Sequence, residues 1–247
     1  MAALPQTSLK KDVNFTERFL LICGILSSLL YVAADVLATL RYEGYSYTDQ
    51  TWSELSAIGA PTRPLMVALV GIPYSVLVIG FGVGVWQSAR GKRALRVVGG
   101  LLVGYGVVCL TAPFTPMHLR EVLARGEETL TDTLHIIGAS MDVLFLLLII
   151  GFGAMAFGKR FRLYSIGTIL VLLVFGALAS LQAGQLAANQ PTPWMGIEER
   201  INIYGTMLWV AVLAIGFLRA QSTAAQHNFS RSSDSKRLKP DRRPGNL

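Results

Sequence analysis

T-D-T-L-H-I-I-G-A-S-M-D-V-L-F, residues 131–145, opens an apolar run that continues to Phe157. At helical periodicity Asp132, His135, Ala139 and Asp142 fall on one stripe. The run is long enough for a hydrocarbon core about 30 Å thick, and Asp142 lies roughly 13 Å from its start, near mid-membrane. A carboxylate at that depth costs at least about 2.5 kcal/mol on insertion scales, so it must face other helices. The stretch therefore predicts a membrane helix with two carboxylates and an imidazole on its inward face.

Working outward, five more apolar runs of membrane length follow the same logic: Phe19–Leu40, Leu65–Trp86, Val97–Thr115, Leu163–Leu186 and Ile201–Leu218, beside Thr133–Phe157 itself. Pro113 and Pro116 break the end of the third. Charged residues are 15% of the chain and apolar ones 52%, with a mean hydropathy of +0.49, where soluble domains carry roughly a quarter charged residues. No strand pattern appears. The fold class predicted is all-α, a polytopic bundle of six transmembrane helices. It divides into an N-terminal segment (1–18), a membrane domain (19–218) and a basic tail (219–247) whose Ser, Arg, Lys and Pro content predicts disorder.

Charge sets the expected orientation. Lys10, Lys11 and Arg18 precede the first run; Arg90, Lys92, Arg93 and Arg96 lie between the second and third; Lys159, Arg160 and Arg162 lie between the fourth and fifth. The tail adds Arg231, Lys236, Arg237, Lys239, Arg242 and Arg243. Most acids occupy the alternate loops or their edges, including Glu43, Asp49, Glu54, Glu121, Glu127, Glu128, Glu198 and Glu199. The positive-inside rule then puts both termini in the cytoplasm and the acidic loops outside the inner membrane. This distribution also argues against a nucleic-acid partner, since the basic residues follow topology and form no single-face footprint. The partner expected is the lipid bilayer. Cys23 and Cys109 fall in different runs, toward opposite leaflets, so no disulfide is expected.

Three runs begin alike: S-E-L-S-A-I-G, D-T-L-H-I-I-G and E-R-I-N-I-Y-G. Aligned on Gly59, Gly138 and Gly205, each has a polar residue three positions earlier (Ser56, His135, Asn202) and an acid five or six positions earlier (Glu54, Asp132, Glu199). With 24 glycines in the chain, chance accounts for the match as well as a shared plan does. The candidates for ligand or proton binding are Asp35, Glu54, Ser56, Asp132, His135, Asp142, Glu199 and Asn202. For Asp142 the structural alternative is a hydrogen bond to a group such as Ser28 or Tyr105; for Asp35 it is snorkelling or a pairing with Arg41. His118, His135 and Asp142 together form a candidate zinc set with an open position. No H-x-x-x-H or H-E-x-x-H motif supports it, and no phosphate-binding loop, dinucleotide fingerprint or nucleophile elbow is present.

The Asp35 run, W-S-E-L-S-A-I-G-A-P-T-R-P after it, F-T-P-M-H-L closing the third run and T-L-H-I-I-G-A opening the fourth resemble the prokaryotic membrane family catalogued as domain of unknown function 998. That resemblance implies a six-span integral membrane protein and brings no activity with it. The outward polar cluster also resembles the seven-span alkaline ceramidase type of metal-dependent lipid amidohydrolase, which uses a Ser, an Asp and three His. This chain departs from that pattern, with one span fewer and only His118 and His135 outside the tail. Two function classes follow: a protein that binds or moves a lipid-like or small cationic ligand, and a metal-dependent membrane lipid hydrolase.

Overall fold

Each apolar run folds as a helix in a computed structural model, which describes the backbone of residues 6–237 and the side chains of residues 15–223. The long helices are α1 (Gln6–Arg41), α2 (Arg63–Ser88), α3 (Arg93–Cys109), α4 (Leu130–Gly153), α5 (Lys159–Leu181) and α6 (Met195–Arg237), with short ones at Arg120–Leu123 and Ala183–Ala187 in the loops. Each of the six, the third continued through the turn that follows it to Phe114, is long and apolar enough to cross a membrane. The N-terminal segment and the basic tail lie partly outside the described residues. Among the described residues there is no strand; one isolated backbone bridge joins Ile58 to His118.

The boundaries follow from local chemistry. Thr129 and Asp132 form a capping box that starts α4, each side chain taking a backbone N–H of the other's position. Thr51 and Glu54 form a second one, which starts a single 3₁₀ turn, Trp52–Ser56. Gly59, at φ +95°, then turns the chain toward α2. Past Cys109 the third run gives way to a 3₁₀ turn, Ala112–Phe114, with Pro113 in its first positions, as the prolines predict.

The helices pack in the spatial order α4, α3, α2, α1, α6, α5; successive members lie against each other along their length, whereas α4 and α5 at the two ends touch sparsely. The α2–α3 contact is the closest. A Cβ added at Gly99 would come within 2.7 Å of the Trp86 nitrogen, and one at Gly82 within 2.8 Å of the Gly99 carbonyl. Small residues here let backbones meet, which matters in lipid because apolar burial no longer separates helix from solvent. At the end of the bundle carrying the basic loops, buried Trp209 of α6 donates to Ser165 of α5 at 2.9 Å and lies against Gly153 of α4.

One departure from regular helix shapes the interior. Val67–Tyr74 of α2 is wound as a π-helix around Pro73. Proline lacks the N–H for an α-helical bond and its ring crowds the preceding turn, and the wider winding accommodates both. Ser75 restores one contact by donating to the Gly71 carbonyl at 2.7 Å. The widened stretch turns Val67, Val70, Gly71 and Tyr74 toward a central cavity.

Candidate functional site

At the end of the bundle carrying the acidic loops, α6 begins two turns before the apolar run does, and this places Arg200 inside the protein. Its side chain is 2% exposed. The guanidinium forks onto Asp35 of α1, Nε to Oδ2 at 3.0 Å and Nη2 to Oδ1 at 2.9 Å. Nη1 donates to the carbonyls of Tyr47, Gln50 and Gly196, and the plane lies 4.0 Å from the Tyr47 ring centroid. Tyr204 donates to the same Asp35 carboxylate, and Arg200 also donates to the Tyr45 hydroxyl at 2.7 Å. Burial pushes the Tyr45 hydroxyl well up, against the opposing pull of Arg200, so it stays a neutral hydrogen-bonding group. Asp35 thus neither snorkels nor meets Arg41. Gly196 permits the approach: a Cβ there would run into the Tyr47 and Gln50 carbonyl oxygens.

Two further pairs close the same end. Glu54, fully buried, receives both Nε and Nη2 of Arg120 at 2.7 Å, together with the Thr51 N–H at 2.7 Å. Burial works against the Arg120 charge, but the bound Glu54 carboxylate outweighs it and holds the arginine above its ordinary value. Arg120 also donates to Thr192, which in turn donates to the Asp49 carbonyl, so three loops share one knot. Asp132 takes the His118 N–H at 2.7 Å and faces its ring Nδ1 at 2.8 Å while capping α4. Asp35, Glu54 and Asp132 therefore hold the fold together and do not line the cavity.

Ser56, His135, Asp142, Glu199 and Asn202 do line it. The cavity has a volume of about 290 Å³ and receives residues from all six helices. Tyr31, Trp52, Tyr74 and Tyr105 supply aromatic walls, with Tyr31 stacked on Trp52 at 4.7 Å. Met66, Val70, Leu146, Leu172 and Ile203 supply aliphatic ones. His135 is held by its Nδ1 against the Thr115 carbonyl at 3.1 Å, and the Asn202 amide reaches the α5 backbone at Val171 and Gly176. Glu199 accepts one hydrogen bond, from the Trp52 N–H. Asp142 accepts none, and its Oδ1 is buried without a partner among the described residues. Neither suggested partner reaches it: Ser28 donates to the Gly24 and Met207 carbonyls, and the Tyr105 hydroxyl faces that of Tyr74.

The set His118, His135 and Asp142 does not assemble as metal ligands. His118 is committed to Asp132 and lies off the cavity, and among the described residues no three His, Cys, Asp or Glu side chains group in a way that could hold a metal ion. Sequence reasoning missed three arginines: Arg200, Arg120 and Arg63. The last lines the cavity. The only signal for Arg200 was a charge immediately before an apolar run, which is also what an ordinary loop residue looks like. The ring of three polar residues, Ser56, His135 and Asn202, does meet at one cavity, whatever the origin of the pattern that singled them out.

No curated protein and no solved structure matches the chain. A family model described as "Protein of unknown function (DUF998)" matches residues 25–216, from within α1 to within α6. With six membrane-length helices and that match across most of its length, the chain belongs to the DUF998 family of membrane proteins.

Proposed function

We propose that this protein binds or moves a lipid-like amphiphile with a cationic group, held in a cavity that opens outward from the membrane. The observation that carries the reading is Asp142, a carboxylate deep in a spanning helix whose Oδ1 is buried with no partner among the described residues. Intramembrane acids are costly, and one left unpaired is by default a functional group. Glu199 on the facing helix adds a second carboxylate with a single neutral donor. The aromatic faces around them attract ammonium groups, and the aliphatic walls suit a hydrocarbon chain. The outward assignment rests on the basic loops lying at the opposite end of the bundle.

The test is direct binding of dodecylamine to the protein in lipid nanodiscs, followed by native mass spectrometry. Binding should weaken about ten- to a hundredfold in Asp142→Asn, the worth of one charge-assisted hydrogen bond. Amine binding unchanged in Asp142→Asn would overturn the proposal.

A further inference from the structure

The cavity contains a cation that a purely amine-binding site would not need. Arg63, at the start of α2, lines it half-buried, and its guanidinium touches no carboxylate within 4.0 Å among the described residues. It donates instead to two carbonyls, Nη1 to Ser56 at 2.8 Å and Nη2 to Pro113 at 3.1 Å. A guanidinium has five N–H donors, so two carbonyl bonds leave the fork largely uncommitted. Arg200 and Arg120 show what this chain does with a structural arginine: each is forked onto a carboxylate. Arg63 lacks that complement.

Its position relative to Glu199 matters. Glu199 is bound to the first residue of the 3₁₀ turn Trp52–Ser56, through the Trp52 N–H; Arg63 is bound to the last, through the Ser56 carbonyl. Four residues at about 2.0 Å rise separate the two anchor points by about 8 Å. One cavity therefore presents a carboxylate and a guanidinium at the two ends of a rigid turn, with Asp142 on the wall beyond. A headgroup a few atoms long, carrying an amine at one end and an anion at the other, spans such a pair.

We infer that the site selects zwitterions of the aminoalkyl phosphate type, with the ammonium on Asp142 and Glu199 and the phosphate on Arg63. Guanidinium forks match phosphate oxygens in pairs, a geometry lysine cannot reproduce. The inference rests on the amine-binding reading above and sharpens its ligand class. The same chemistry occurs in an aminophospholipid headgroup and in a soluble aminoalkyl phosphate, and the aliphatic walls favour the lipid form.

The experiment compares three probes in nanodiscs: lysophosphatidylethanolamine, dodecylamine and O-phosphoethanolamine. The wild-type protein should bind the lysolipid about tenfold or more tightly than dodecylamine, consistent with one added charge-assisted contact. Arg63→Gln should erase that advantage while leaving dodecylamine affinity within about twofold, and Arg63→Lys should restore part of it. Equal affinity of the lysolipid and the amine in the wild type would overturn the inference while leaving amine binding intact. So would an equal loss of both in Arg63→Gln, which is what a purely structural staple between two carbonyls produces. Failure of every amine-bearing amphiphile to bind would instead sink the parent reading. O-phosphoethanolamine bound as tightly as the lysolipid would uphold the zwitterion chemistry and assign it to a soluble compound.

Discussion

The acidic-loop end of the bundle and the cavity next to it use the same residue types to opposite ends. At the loop end, Asp35 meets Arg200, Glu54 meets Arg120 and Asp132 meets His118, each carboxylate receiving several donors. In the cavity, among the described residues, Asp142 Oδ1 has no partner, Glu199 has one neutral donor, and Arg63 has only carbonyls. Ion pairs taken out of water are tolerated when each charge is paired and further hydrogen-bonded, and the loop end satisfies that condition. The difference teaches where to look for function. Matched charges fix loops to helices; mismatched ones, in the same fold and nearly the same setting, are the groups left for something else to complete.

The sharpest way to break this comparison is to unmatch a matched pair. Arg200→Met leaves Asp35 buried with Tyr204 as its only donor from this network, and should cost about 3–5 kcal/mol in detergent unfolding monitored by circular dichroism. The double variant Asp35→Leu with Arg200→Met should recover a large part of that loss, since no buried charge is then left over. A cost below about 1 kcal/mol for the single variant would mean the pair is not the anchor described here.

A packing contrast of the same kind comes next. At Gly99 an added methyl would meet backbone of α2, which cannot swing aside, whereas at Gly138 on α4 nothing lies within 4 Å. Gly99→Ala should therefore destabilise by about 1–3 kcal/mol through overpacking. Gly138→Ala should be neutral or gain up to about 1 kcal/mol from helix propensity. Equal effects at both sites would show that α2 and α3 are not in backbone contact.

The cavity predicts smaller stability effects still. Asp142→Asn should not destabilise the protein, because the carboxylate gives up no hydrogen bond when it becomes an amide. Its unfolding midpoint should match or slightly exceed that of the wild type while amine affinity falls. A marked loss of stability would move Asp142 into the same structural class as Asp35 and remove the contrast.

The six helices were legible because membrane insertion is decided by local composition, and each run carries its own signal. Asp142 was legible for the same reason, as a charge interrupting an apolar stretch. Arg200 is not: the apolar run begins at Ile201, which leaves the arginine outside it, and its partner Asp35 lies 165 positions away. Arg41 looked like the nearer partner, yet six residues of helix turn it about 120° away from Asp35. Only the packing of α1 against α6 pairs Asp35 with Arg200. Arg63 and Arg120 escaped notice similarly, since whether a loop arginine is solvated, paired or aimed into a cavity depends on contacts the sequence does not display. For Pro73 the signal was present, a proline inside an apolar run, and the π-winding was its physical outcome.

Asp49 supplies the smallest and last effect, and it tests whether matching matters at the surface as it does in the interior. The Ser46 hydroxyl donates to Asp49 Oδ2 at 2.9 Å and the Trp194 N–H to Oδ1 at 3.2 Å, and these bonds hold the carboxyl below its usual value. A depressed folded-state pKa stabilises the fold at pH values above the unfolded-state value of about 3.9. That contribution declines as pH falls through the folded-state value. Asp49→Asn should therefore lower the melting temperature slightly at pH 7, and the difference should close as the pH is taken below 3.9. Solvent screens a carboxylate at the surface, so the shift should be well under that of Arg200→Met. A difference that widens on acidification would reverse the sign and show that these two donors favour the protonated acid.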